Sequence, residues 1–317
     1  AGLARAVGWV ARRTGADLDA LWVVEGVGTY GARLARAAAD AGYSVVEAPR
    51  MNARGNRGLG KSDVLDARRI AQAALPLNDT QLRRPRSDEG TRAALRILIA
   101  SRDHITNERT AAINALIALL RVVDLGVDAR GNLATGQVTE IAAWRSRAEE
   151  LSIGVARAEA VRLAKRVRIA DKELGGLTRQ MTALLQTSTA AGLLDEPGIG
   201  PVTAAIAYAA WSHPGRIRSE AAFASLAGVN PIPASSGNTV RHRINRGGDR
   251  RLNRALHMAV VTRMRMDPET RAYVNKRTAQ GRTTREIRRS LKRYLARQID
   301  PPRRVRRVSF VGRMFSM

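Results

Sequence analysis

Residues 55–66 read GNRGLGKSDVLD, and two incompatible templates fit them. From Gly55 to Ser62 the spacing Gly-x-x-x-x-Gly-Lys-Ser is that of a phosphate loop, in which backbone amides and the lysine cradle a nucleotide. Alternatively, Ser62 caps a helix whose first turn carries Asp63 and Asp66. At i and i+3 these acids share one helix face and offer oxygen ligands to a hard divalent cation. A phosphate loop must follow a buried strand directly, so that amides and helix N-terminus converge on the phosphates. Here the apolar strand pattern ends near Ala48, and Pro49 to Arg54 intervene. Asp63 would also put negative charge beside the nucleotide, and no later strand ending in Asp supplies a magnesium ligand. The carboxylate template is favoured, with a phosphate-loop NTPase as the lesser alternative. On residues alone, an Asp pair in a first turn serves equally to complement the helix macrodipole.

Upstream, helix and strand signals alternate: an amphipathic run from Leu3 to Arg13, a strand Leu21 to Glu25, a helix Tyr30 to Ala41 and a strand Tyr43 to Ala48. Gly42 marks the helix stop, and the spacing predicts parallel strands joined by a right-handed crossover. Glu25, a charge closing the apolar run LWVVE, falls where open α/β sheets place their sites. Downstream, apolar residues from Leu95 to Leu120 recur at helical spacing and predict a long helix from Thr91. A break over 126–136 precedes a helical tract over 137–188, read either as a helical hairpin or coiled coil or as a bundle arm with a solvated charged face. Residues 191–298 read as mostly helical, interrupted by GVNPIPASSGNT from Gly228 to Thr239. The basic, poorly periodic run from Pro301 reads as an extension.

Among the 317 residues, 54 are Lys or Arg against 28 Asp or Glu, a net charge of +26, while 44% are apolar. That is a globular composition with a polyanion as the expected partner, bound in a salt-dependent way. The absence of cysteine excludes disulfides, thiolate zinc sites and a cysteine nucleophile. His104, His213, His242 and His257 lack ligand spacing, and His242 is placed near phosphate only by its basic surroundings. No apolar run reaches the roughly 18 residues of a membrane span, and AGLARAVGWVARR is too short and Arg-rich for a secretory signal. The expectation is a cytoplasmic, nucleoid-associated protein with no membrane partner.

The segments WVVEGVGTYG, VVEAPR and GKSDVLDARRIA, in that order, resemble the second to fourth acidic positions of the DEDD transposases of the IS110 type. LRILIASRDHITNERTAAINALIALL resembles that family's long helix after the nuclease core. PGIGPVTAAIA has the Gly-x-Gly turn of a helix-hairpin-helix, whose amides contact a DNA phosphate when the motif is functional and otherwise only join two helices. AGVNPIPASSGNTVRHRINRGGDRRLNRALH is similar to the family's transposase segment.

The resemblance implies an α/β plus all-α chain. Residues 1–127 would form an incomplete RuvC-like domain of the ribonuclease H fold ending in a long helix. A helical coiled-coil region would follow over 128–190, a transposase domain with the helix-hairpin-helix and a serine motif over 191–300, and a basic tail over 301–317. It implies Ser236 as nucleophile, a residue not separable from Ser235 without the comparison, and Mg2+ held by Glu25, Asp63 and Asp66. An unactivated serine needs a base, a metal or strong stabilisation of the phosphoryl oxygens; as a plain Ser-Gly turn it would do nothing. Lys61, Gly198, Gly200, Arg241, Arg243, Arg246 and Arg250 are the implied nucleic-acid contacts. The implied activity is cleavage and rejoining of DNA through a serine-linked intermediate. The implied partners are donor and target DNA, a structured guide RNA, and further copies in a homodimer or homotetramer. A non-catalytic DNA- or junction-binding protein built on the helix-hairpin-helix is the alternative from another class.

The family's first acidic residue lies on an opening strand, and nothing before Leu21 reads as that strand. Asp17 and Asp19, in the loop-like GADLDA, do not replace it. The resemblance therefore implies that about three strands and a fourth carboxylate lie outside this chain, through truncation or through an upstream start codon.

Overall fold

The computed structural model describes residues 2–49, 62–78, 81–85, 90–212, 216–217, 219–235 and 242–299. Its described residues fall into two compact units, one drawn from Ala1–Asp88 with Ser212–Arg218, the other from Glu89–Trp211 with Ser219–Met317.

In the first unit, α1 (Gly2–Thr14) is followed by β1 (Trp22–Val24), α2 (Ala32–Asp40), β2 (Val45–Glu47) and α3 (Asp63–Ala74). The two strands are parallel, with Trp22, Val23 and Val24 opposite Val45, Val46 and Glu47. This is the expected β-α-β arrangement. Gly42 ends α2 at φ +94°, with Gly42 N–H donating to Ala39 O and Tyr43 N–H to Ala38 O, which satisfies carbonyls the helix end would otherwise strand. Val24, Ala35, Ala38, Tyr43 and Val45 form the core, with Val7 of α1 packed on it. Both strands are shorter than their apolar runs, and β2 gains an antiparallel bridge at its end, Glu47 N–H to Arg83 O at 2.7 Å. Arg216, from the inserted segment, donates to Arg84 O at 2.9 Å and lies 3.0 Å from Glu47 Oε1.

The second unit begins with α4 (Gly90–Val122), 33 residues and about 50 Å at ~1.5 Å per residue. The predicted tract over 137–188 is two helices, α5 (Thr135–Ala142) and α6 (Leu151–Gln186). The break has a physical cause in the intervening WRSRAEE. Trp144 packs on the core, Arg157 stacks 5.0 Å from its ring centroid and chelates Glu149, and Glu150 caps the new helix through Ser152 N–H. Leu116 and Leu120 of α4, Ile141 of α5, and Leu163 and Val167 of α6 share one buried cluster. Burying each large aliphatic side chain contributes about 1.5–3 kcal/mol. The long helix, grouped by family resemblance with the α/β region, thus packs in the second unit, because its apolar stripe is covered by α6 and by α7 (Pro201–Trp211).

Helix α7 is apolar almost all round, with seven of its residues buried, as a helix enclosed by neighbours must be. Around it come α8 (Glu220–Leu226), the antiparallel pair β3 (Pro231–Pro233) and β4 (His242–Ile244), then α9 (Arg250–Met266), α10 (Pro268–Ala279) and α11 (Thr284–Gln298). Among the described residues no helix is long and apolar enough to cross a membrane.

Candidate active site

Glu25 follows β1 directly and is exposed. The chain turns back at once: Thr29 N–H and Gly31 N–H both donate to Gly26 O, at 2.7 and 3.0 Å. Gly31 then lies so close to the strand that an added Cβ would sit 2.2 Å from Glu25 O and 2.8 Å from Val24 Cγ1. Only glycine fits without shifting the backbone, so its missing side chain permits the tight turn after Glu25. Ser62 caps α3 as expected, accepting from Leu65 N–H at 3.3 Å, and α3 packs beside β1. Asp63 is exposed, and the half-buried Asp66 accepts from Arg69 Nη1 at 3.2 Å.

Glu25, Asp63 and Asp66 therefore lie on neighbouring elements and supply the hard oxygen donors a divalent cation prefers. They are not converged: among the described residues no group of three or more His, Asp or Glu is placed to hold a metal. Part of Asp66's charge is engaged by Arg69. Lys61 and the glycines of the phosphate-loop template lie outside the described residues, while the Ser62 hydroxyl is used as a helix cap.

In the second unit, Ser236 and Arg241 lie outside the described residues, between β3 and β4. The base of that hairpin is stapled in several ways. Asn245 Nδ2 donates to Asn230 Oδ1 at 2.7 Å and to Ser225 O at 3.2 Å. Asn253 Nδ2 donates to Ala227 O at 2.7 Å and Gly228 O at 3.2 Å. Gly248 crosses Gly228 so closely that a Cβ on it would lie 2.4 Å from Gly228 N, and Asp249 caps α9 through Arg251 and Leu252 N–H. Arg243, Arg246 and Arg250 are exposed. Sequence reading singled out the arginines and missed Asn245, Gly248 and Asn253, which hold the hairpin; the run Asn-Arg-Gly-Gly-Asp was the available signal.

Gly198 has a packing role of its own. At φ +73° it lies against α9, where a Cβ would approach Ala259 O to 2.7 Å and Arg263 Cγ to 2.8 Å. Arg263 Nε donates to Pro197 O at 2.6 Å, and burial pulls the Arg263 guanidinium below its ordinary pKa despite Glu196 nearby. Packing thus accounts for this glycine; Gly200, with open space around its Cα, is not so constrained.

Two family models match the chain in the order of the two acidic and hairpin regions. The model of the DEDD transposases of IS110, described as "Transposase", covers residues 1–123, and that of the "Transposase IS116/IS110/IS902 family" covers residues 190–275. Across these two regions the chain is similar to the IS110 family of transposases. The chain is 31% identical over 123 residues to the "Insertion element IS110 uncharacterized 43.6 kDa protein" of Streptomyces coelicolor, a match covering 38% of the chain and 30% of that relative. It is 29% identical over 274 residues to the "Insertion element IS900 uncharacterized 42 kDa protein" of Mycobacterium paratuberculosis, covering 71% of the chain and 67% of the relative. The chain thus spans under a third of the first of these relatives and about two thirds of the second.

Proposed function

We propose that this chain is a DNA transposase that cuts and rejoins strands at an insertion element, with Ser236 as the nucleophile. The stapled β3–β4 pair carries the reading: in sequence, residues 236–241 fall between Ser235 and the strand that bears Arg243, inside a segment matched by a transposase family model. In the proposed step Ser236 Oγ bonds to phosphorus, and the displaced strand oxygen leaves and takes up a proton. Rejoining reverses this with a hydroxyl of another strand. Arginines at 241, 243, 246 and 250 supply positive charge for the phosphoryl oxygens as negative charge develops there.

Glu25, Asp63 and Asp66 are proposed as family acidic positions; with no three carboxylates converged, no metal-dependent step is assigned to them. Donor and target DNA are the proposed substrates. A structured RNA from the element as guide, and assembly as a homodimer or homotetramer, belong to the same proposal, as does residence on the nucleoid. The test incubates the protein with DNA carrying element ends, the element's RNA and magnesium, and looks for a denaturant-stable protein–DNA adduct. The adduct is expected with the native serine and absent in Ser236→Ala; an undiminished adduct in that variant refutes the nucleophile, and Ser235→Ala run alongside separates the two serines.

A further inference from the structure

Beside the β3–β4 hairpin, wholly within the second unit, is a cavity of about 650 Å³, inside the ~300–1,000 Å³ range of ligand pockets. Its lining is strongly basic. Strand β4 contributes His242 and Arg243, the end of α10 contributes Arg277, and Arg282 with Arg289, Lys292 and Arg293 of α11 complete it, against one carboxylate, Glu286.

Some of these cations are already engaged. Arg293 pairs with Glu220, Arg282 lies 3.6 Å from Glu286 Oε1, and Arg277 donates to Gln280 Oε1 at 2.7 Å. For Arg243, Arg289 and Lys292 no carboxylate stands within ion-pair distance among the described residues. The Lys292 ammonium donates to a neutral group, Asn253 Oδ1, at 3.1 Å. Burial, then Arg289, pushes its pKa below the ordinary lysine value, and His257 on α9 is lowered by burial and by Lys292 and Arg288.

Like charges gathered in a half-enclosed space repel one another, and a lining so short of acids is arranged for an anion from outside. The lining indicates more than one anionic group: Arg289 and Lys292 stand about 4.5 Å apart along α11, and Arg243 reaches the same cavity from β4. Arginine forks suit phosphate oxygens. Asn253 joins this cavity to the hairpin, since the side chain that accepts from Lys292 also donates to the carbonyls of Ala227 and Gly228.

We propose that this cavity is a phosphodiester-binding groove for a DNA strand, with Arg243, Arg289 and Lys292 as its phosphate ligands. The proposal rests on the reading that the hairpin acts on DNA, but it concerns binding, which is measured without chemistry.

Fluorescence anisotropy with a labelled single-stranded DNA is read across a salt series, for the native protein and for Arg289→Gln with Lys292→Gln. The double variant is expected to bind 10- to 100-fold more weakly, with a salt slope smaller by about 0.7 for each phosphate no longer neutralised. Arg168→Gln with Lys172→Gln, exposed on α6, is expected to change neither by as much. Equal losses in the two pairs overturn the groove, as does an unchanged double variant. RNA of the same sequence is run in parallel: a comparable loss supports backbone recognition, and a loss confined to RNA overturns the DNA assignment. Arg243→Gln, an exposed hairpin side chain, repeats the measurement without altering α11, so that a misfolded double variant still leaves a decisive result. If Ser236→Ala still forms the adduct, the serine reading fails while the groove stands or falls on its own binding data.

Discussion

Gly31 and Gly248 show how a missing side chain can matter more than a present one. At each, a Cβ would stand closer than 2.5 Å to a backbone atom, so alanine must displace the turn behind Glu25 or the crossing beneath the β3–β4 hairpin. Gly31→Ala and Gly248→Ala are each expected to cost about 1–3 kcal/mol, read as a lower urea midpoint, whereas Gly136→Ala, with open space around it, should cost little. Asp267 caps α10 through Thr270, whose hydroxyl and N–H hold the carboxyl below its ordinary pKa. A depressed acid stabilises the fold above its unfolded pKa and loses that contribution as pH falls through the folded value. Urea midpoints measured from pH 5 down to 2.5 should therefore fall less steeply in Asp267→Ala, which at pH 7 should itself be about 1 kcal/mol less stable. Because Glu25, Asp63 and Asp66 do not converge, millimolar magnesium should leave the melting temperature of this chain unchanged; a rise abolished by Asp63→Asn would show an assembled site.

Helix α4 owes its length to partners along its course. Leu116 is fully buried between α4, α5 and α6, while Ile97 on the same helix is 70% exposed. Leu116→Ala should destabilise the second unit by about 2–5 kcal/mol, and Ile97→Ala should fall within about 0.5 kcal/mol of the native protein, both by equilibrium denaturation. The long helix, α3 with its Ser62 cap, and the β1-α2-β2 unit were legible because periodicity and capping act over a few neighbouring residues. The interruption between α5 and α6 was not, since the side chains that stabilise it, Trp144, Glu149 and Arg157, find their partners only after folding.

Across the chain, sequence order and packing part company. Ser212, Arg216 and Ile217 follow α7 in sequence yet cluster with the first unit, where Arg216 forks onto Glu47 at 3.0 and 3.2 Å. Neither side chain is well exposed, so Arg216→Gln should cost about 1–3 kcal/mol and speed amide exchange at Val45–Glu47, read by hydrogen-exchange mass spectrometry. The ordered motifs around Glu25, Asp63 and the Ser236 segment were enough to indicate the IS110 family, and the excess of arginine enough to indicate a polyanion, because family motifs and net charge are properties of the chain itself. Which glycines are steric necessities, that the three carboxylates stand apart, that Gly198 packs on α9, and that cations from β4, α10 and α11 line one cavity were decided only by tertiary structure. Most of these depend on distances between residues far apart in sequence, and even Gly31, six residues after Glu25, is constrained by how the chain folds back on its strand.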